Sequence, residues 1–177
     1  MSELFDETYN YLKRINKKLD DETLKNLTNS VLTYSDLLSN RKTDYKFDLE
    51  KFTNINGKTG IYVQYAQVRA KKIRSSFLDI NQEISKLILS EIDKKLLSKL
   101  FLFTYHLEQT IKLKEPHHLA NYLYEISNLF NQFYEDENLS NIKNSNHLAS
   151  KIYLVDLFLT TSHNVMYCLG LVPVKEM

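Results

Sequence analysis

Glycine and proline are nearly missing from this chain: 177 residues contain three of the first and two of the second. Three glycines cannot build a glycine-rich phosphate loop, so nucleotide chemistry of that type is excluded. The same scarcity favours long helices joined by short loops. One cysteine, Cys168, rules out an internal disulfide framework and fits a reducing, cytoplasmic setting. No apolar run approaches the roughly 20 residues of a membrane span, so no membrane partner is expected. The first seven residues, Met1 to Glu7, are acidic and lack the basic-then-apolar layout of a signal peptide. Excess charge is lacking too: 23 Lys and Arg face 22 Asp and Glu, a net +1. A strong sequence-independent pull toward nucleic acid is thereby excluded, and DNA is not an expected partner. Reading an unstacked single-stranded loop stays possible, because stacking and shape supply much of that recognition.

What is present is helical periodicity. Leu4, Phe5, Leu12, Ile15 and Leu19 form one apolar stripe, and Leu24, Leu27, Val31, Tyr34 and Leu38 a second at 3-4 spacing. Asp20, Asp21 and Thr23 supply capping chemistry between them. Residues 40–60 read as an irregular connector, with Asn54-Ile55-Asn56-Gly57 turn-prone. The pattern predicts a third helix from about Tyr62 to Phe77 and a short segment near Ile84 to Leu89. A fourth helix follows on Leu97, Leu100, Phe101, Thr104, Leu107 and Ile111. A fifth starts at Pro116, where proline suits the first turn, and buries Leu119, Tyr122, Leu123, Ile126, Leu129, Phe130 and Phe133. The sixth runs from about Asn146 to Leu169, ended by Gly170 and Pro173. The expected architecture is an all-α helical bundle, with the first two helices packing on it as a separate appendage.

Little in this pattern supports catalysis. The five histidines never fall at i, i+4 with a second ligand, and neighbours His117 and His118 should point about 100° apart on a helix. No metal site is expected. Ser162-His163 lacks a third partner, and Cys168 falls on the apolar stripe as an inert core thiol. Tyr65, Arg69 and Lys72 are more suggestive, since i, i+4, i+7 spacing makes them one row, with Lys71 and Arg74 nearby. An aromatic, a guanidinium and an amine in a row can stack a base and neutralise phosphates. Taken alone, the row is better explained as a solvated basic face, with Tyr65 half-buried and Arg69 paired to a carboxylate of another helix. Tyr134, one residue past the core position Phe133, offers the same choice between a base-stacking ring and a seal at the core's edge.

Three blocks, in order, carry a family resemblance: Tyr62-Val63-Gln64-Tyr65-Ala66-Gln67-Val68-Arg69, Pro116-His117-His118-Leu119-Ala120-Asn121-Tyr122-Leu123-Tyr124-Glu125, and the ending Pro173-Val174-Lys175-Glu176-Met177. Together they are similar to the C-terminal third of the arginyl-tRNA synthetases, whose helical anticodon-binding module is called the DALR domain. The resemblance implies two parts. Residues 1–56 resemble the end of the catalytic portion, and 57–177 the class I synthetase anticodon-binding bundle. It also implies that Tyr65 and Arg69 face the anticodon loop of arginine tRNA, with Lys72 beside them. Tyr134 would hold the middle anticodon base, a cytidine, in a pocket that Met177 also lines. Gln67 and Val68 stand where the family usually has a histidine and a small residue, and Asn138 stands where some members have an aromatic. The HIGH-type and KMSK-type signatures do not occur in these residues. ATP-driven aminoacylation with arginine is therefore expected of a catalytic domain elsewhere in the same polypeptide, and this chain should hold no cofactor and be inactive alone. Two alternatives stand beside this reading. One is the related module of cysteinyl- or glycyl-tRNA synthetases; the other is a helical protein-interaction domain that never touches RNA.

Overall fold

The computed structural model describes residues 2–40, 42–78 and 86–177. Among these the elements are α1 (Ser2–Ile15), α2 (Asp21–Leu38), α3 (Leu49–Phe52), α4 (Gly60–Ser76), α5 (Glu91–Leu100), α6 (Phe103–Leu113), α7 (His117–Asp136), a 3-10 turn (Leu139–Asn141) and α8 (Ser145–Cys168). Part of the segment expected near Ile84 to Leu89 lies outside the described residues. No strand occurs among the described residues, and the expected all-α helical bundle is the observed fold.

Helix starts follow the capping chemistry. Asp20 accepts a hydrogen bond from the Thr23 amide at 2.7 Å to open α2, and Thr59 accepts one from the Tyr62 amide at 3.1 Å to open α4. Ser90 and Asp93 form a capping box that opens α5. At the other end of the chain Gly170, with φ 71°, takes the left-handed conformation that terminates α8.

Apolar burial falls into two clusters. The larger one joins Val63, Ala66, Ala70, Tyr122, Phe130, Phe133, Val155 and Phe158, at the meeting of α4, α7 and α8. The smaller joins Leu12, Leu24, Leu27, Val31, Phe52, Ile61, Val68 and Val174. Both α2 and α4 feed both clusters, so α2 is part of the bundle, while α1 packs on α2 and reaches only the smaller cluster. Tyr34 of α2 lies in the larger core, and its hydroxyl donates to the buried Ala120 carbonyl at 2.8 Å. At Gly60 the start of α4 lies so close to the Ser30 backbone that a Cβ would overlap it. Residues on either side of residue 56 thus pack closely at this point.

Two expectations about single elements also need correction. The fourth helix is two helices, broken at Phe101 and Leu102, and it leaves Phe101 71% and Ile111 67% exposed. The cause is distant in sequence: the Tyr122 hydroxyl donates to the Lys99 and Leu100 carbonyls, both at 3.1 Å, capping the end of α5. Cys168 is exposed and is not a core thiol. At about 100° per residue it lies roughly 120° around α8 from the buried Ser162.

Candidate functional site

The surface between α4 and the second half of α7 gathers most of the singled-out residues. Small inward residues Ala66 and Ala70, both fully buried, turn the Tyr65, Arg69 and Lys72 row to the edge facing α7. On α7 the inward stripe of Ile126, Phe130 and Phe133 leaves Asn128, Asn131 and Glu135 along its border. The two polar borders meet.

Arg69 is the centre of that meeting. Its guanidinium carbon lies 4.4 Å from the Tyr65 ring centroid and 4.6 Å from that of Tyr134, so two tyrosine faces hold one cation. Nη1 donates to Asn131 Oδ1 at 3.0 Å, and Nη2 donates to the Tyr65 hydroxyl at 3.0 Å. The Glu135 carboxylate is 3.7 Å away. Such a planar fork, hydrogen-bonded to two partners and lying over two rings, has little rotamer freedom left to lose. Tyr134 itself is 41% exposed, whereas neighbouring Phe133 is fully buried. The Arg69 guanidinium lies over the Tyr134 ring, and part of the side chain remains exposed.

Cavities flank this cluster on either side. One of about 440 Å³ is lined by Arg69, Lys72, Phe77, Tyr134, Glu137 and Asn138. The other, of about 380 Å³, is lined by Tyr62, Tyr65, Asn128, Asn131 and Gln132 with Arg69 again. Arg69 and Glu135 belong to both and form the ridge between them. Each hollow therefore combines aromatic walls with amide, carboxylate and guanidinium groups suited to base edges.

Four of the five singled-out residues come together here, and one does not. Met177 packs against the smaller apolar cluster, in a hollow formed with Ile15, Asn16, Lys17, Lys18 and Leu19. Neither hollow beside Tyr134 is lined by it. The direction of the tail is set by a different row of α4. Gln64 donates to the Val172 carbonyl at 2.7 Å and accepts from the Val174 amide at 3.0 Å. Lys71 donates to the Val174 carbonyl at 3.0 Å. Gln64 and Lys71 lie about 100° around the helix from Tyr65 and Lys72, which leads the tail toward the α1–α2 turn.

Asn128, Asn131, Gln132 and Glu135 were missed by sequence reasoning. Their signal was present at i, i+3, i+4 and i+7, a polar row bordering the apolar stripe of α7, but polar borders are ordinary on any amphipathic helix. Gln67 is buried and donates to Ser162 Oγ at 2.8 Å, tying α4 to α8. The expected divergence of His117 and His118 does not occur: their ring centroids are 4.2 Å apart, and Glu115 joins them.

Residues 63–177 match the DALR anticodon binding domain family. The chain is 30% identical over 163 residues to an arginine–tRNA ligase of Francisella tularensis subsp. novicida, covering 87% of this chain and 28% of that protein. It is 31% identical over 190 residues to an arginine–tRNA ligase of Buchnera aphidicola subsp. Baizongia pistaciae, covering 100% of this chain and 32% of the relative. The arginyl-tRNA synthetase structure from Plasmodium falciparum superposes with a TM-score of 0.84 at 26% identity, over 100% of this chain and 33% of that one. The chain thus spans less than a third of either ligase.

Proposed function

This chain belongs to the DALR anticodon-binding family, and from that premise we propose that it grips the anticodon loop of arginine tRNA on behalf of an arginine–tRNA ligase. The observation that carries the reading is the Tyr65–Arg69–Tyr134 stack with a hollow on each side. An anticodon loop presents bases already splayed from one another. Each can enter a hollow, lie on an aromatic face and meet the amide or carboxylate groups at its rim. Tyr134 supplies exposed ring surface, and Arg69 lies over that ring. Lys72, exposed at the mouth of the larger hollow, suits a phosphate rather than a base. The near-neutral net charge fits a module that recognises a loop by shape and stacking instead of coating a duplex.

In this reading the α4–α7 face holds the tRNA, and aminoacylation with arginine and ATP is carried out by a catalytic domain of the same polypeptide. The relatives named above are arginine–tRNA ligases, which supports arginine over the cysteine or glycine versions of the module.

Two adjacent aromatics provide the test. Losing a base–aromatic stack costs about 1–3 kcal/mol, whereas truncating a buried phenylalanine destabilises a fold by roughly 3–5 kcal/mol. Tyr134→Ala is expected to weaken binding of an arginine tRNA transcript while moving the melting temperature little. Phe133→Ala should lower the melting temperature strongly. The loss at Tyr134 should shrink when the middle anticodon cytidine is already replaced, because both changes remove one contact. A Tyr134→Ala protein that binds every transcript as the parent does would sink the proposal.

A further inference from the structure

At the opposite end of α7 from Tyr134, about 26 Å away along the helix, the chain reads Glu115-Pro116-His117-His118. Lys114, in the left-handed conformation at φ 55°, reverses the chain after α6 and delivers Glu115 back onto the first turn of α7. Glu115 Oε2 is thereby placed 3.3 Å from His118 Nε2 and 3.9 Å from His117 Nε2. One donor atom from each of the three side chains lies within 4.8 Å of the other two. The Glu115 and His117 side chains are 17% exposed and that of His118 34%, so the cluster is largely withdrawn from water but open on one side. His117 Nδ1 makes no hydrogen bond, and His118 Nε2 faces the Glu115 carboxylate without hydrogen-bond alignment. Buried polar atoms left without a partner call for an explanation, an unplaced ion being one.

We propose that Glu115, His117 and His118 form a site for one divalent transition-metal ion of the zinc type, water completing the coordination. Two donors each about 2.1 Å from a metal lie roughly 3.4 Å apart at the tetrahedral angle and at most about 4.2 Å apart. The 3.3 and 3.9 Å separations fall within that span, so small side-chain rotations close the site. Two imidazoles and one carboxylate are a donor set that zinc accepts, whereas calcium and magnesium require oxygen ligands. The positive end of the α7 dipole opposes a cation here, and the carboxylate offsets it. Lys42 approaches the other oxygen, Oε1, at 3.9 Å from a side chain that is 74% exposed, so it can swing away without leaving the cluster unpaired. A bound ion would lock the reversal at Lys114 to the first turn of the helix that carries Asn131 and Tyr134. The site does not depend on the RNA-binding reading.

Equilibrium dialysis of the full chain against Zn²⁺, and titration with Co²⁺ followed by visible absorption, test the proposal. One equivalent of metal is expected. Losing a ligand should cost at least the roughly 10–100-fold seen when supporting partners of a metal site are removed. Glu115→Gln, His117→Gln and His118→Gln should each show that loss, with helicity unchanged by circular dichroism. His147→Gln, which alters a separate histidine–carboxylate pair, should bind as the parent does. Paramagnetic Co²⁺ should also broaden the ring resonances of His117 and His118 and spare those of His147 and His163, a readout that needs no variant to fold. Absence of one-equivalent binding, equal binding by all variants, or broadening spread over every histidine would overturn it.

Discussion

Lys151→Met would probe the ionic support beneath the candidate RNA-binding surface. The Lys151 and Asp93 side chains are both 0% exposed, with Nζ 2.9 Å from Oδ1. Glu137, which lines the larger hollow beside Tyr134, approaches the same ammonium at 3.5 Å, and the Phe133 ring lies 5.1 Å from it. Methionine retains most of the lysine stem, so the cavity left behind is small and the loss is mainly ionic. Removing one member of a buried pair costs about 3–5 kcal/mol, because the other charge stays buried without compensation. Asp93 keeps its bond from the Ser90 amide at 2.8 Å, which places the effect toward the lower end. At about 2–4 °C per kcal/mol for a chain of this size, the melting temperature should fall by roughly 6–20 °C. The double variant Lys151→Met with Asp93→Asn removes both charges and keeps an acceptor for the Ser90 amide. It should recover most of that loss, since a neutral replacement of a buried pair is often harmless. Urea and thermal unfolding followed by far-ultraviolet circular dichroism would give the four corners of the cycle. A single variant destabilised by less than about 1 kcal/mol, or a double variant no better than the single, would refute this account of the pair.

Two further outcomes follow from the packing and the titration of single residues. Gly60→Ala adds a Cβ that overlaps the Ser30 carbonyl and lies 2.9 Å from the Val31 amide nitrogen. It should destabilise by about 1–3 kcal/mol although alanine is the better helix former by about 1 kcal/mol, and a raised melting temperature would disprove the close approach of α2 and α4. His106 stacks on Tyr122 at 4.5 Å, and burial first, then the Lys99 charge, pushes its pKa below the ordinary 6.5. The unfolded chain then binds a proton more readily than the folded one, so stability present above that ordinary value should decline as the pH falls through it. His106→Gln should flatten that decline in thermal melts between pH 7 and about 5, and an unchanged slope would count against the assignment.

Phe133 and Tyr134 show how much a linear pattern carries. Their neighbourhood in α7 repeats apolar residues at helical spacing, so the buried and exposed members of the pair could be told apart in sequence. The same holds for α2 and for the Tyr65–Arg69–Lys72 edge of α4, which needs only the 100° step of a helix. The break between α5 and α6 could not be read this way, because its cap is the hydroxyl of Tyr122, more than twenty positions later. Periodicity also continues straight through Phe101, with no proline or glycine to mark the turn.

The path of the tail was hidden for a related reason. The resemblance assigned Met177 to the Tyr134 pocket, but the course of residues 172–174 depends on Gln64 and Lys71 donating to backbone carbonyls about a hundred positions away. Those two side chains read in sequence as unremarkable polar positions of α4. Arg69 lies between the two cases. Its row on α4 was legible, yet the local pattern left base contact and an internal pair as competing roles. The structure shows the internal pairing: bonds to Asn131 and Tyr65 hold the guanidinium, and it lies over the Tyr134 ring. The internal pairing is what would ready Tyr134 for a base, since a ring held by an immobile cation loses less freedom when a ligand stacks on its open side.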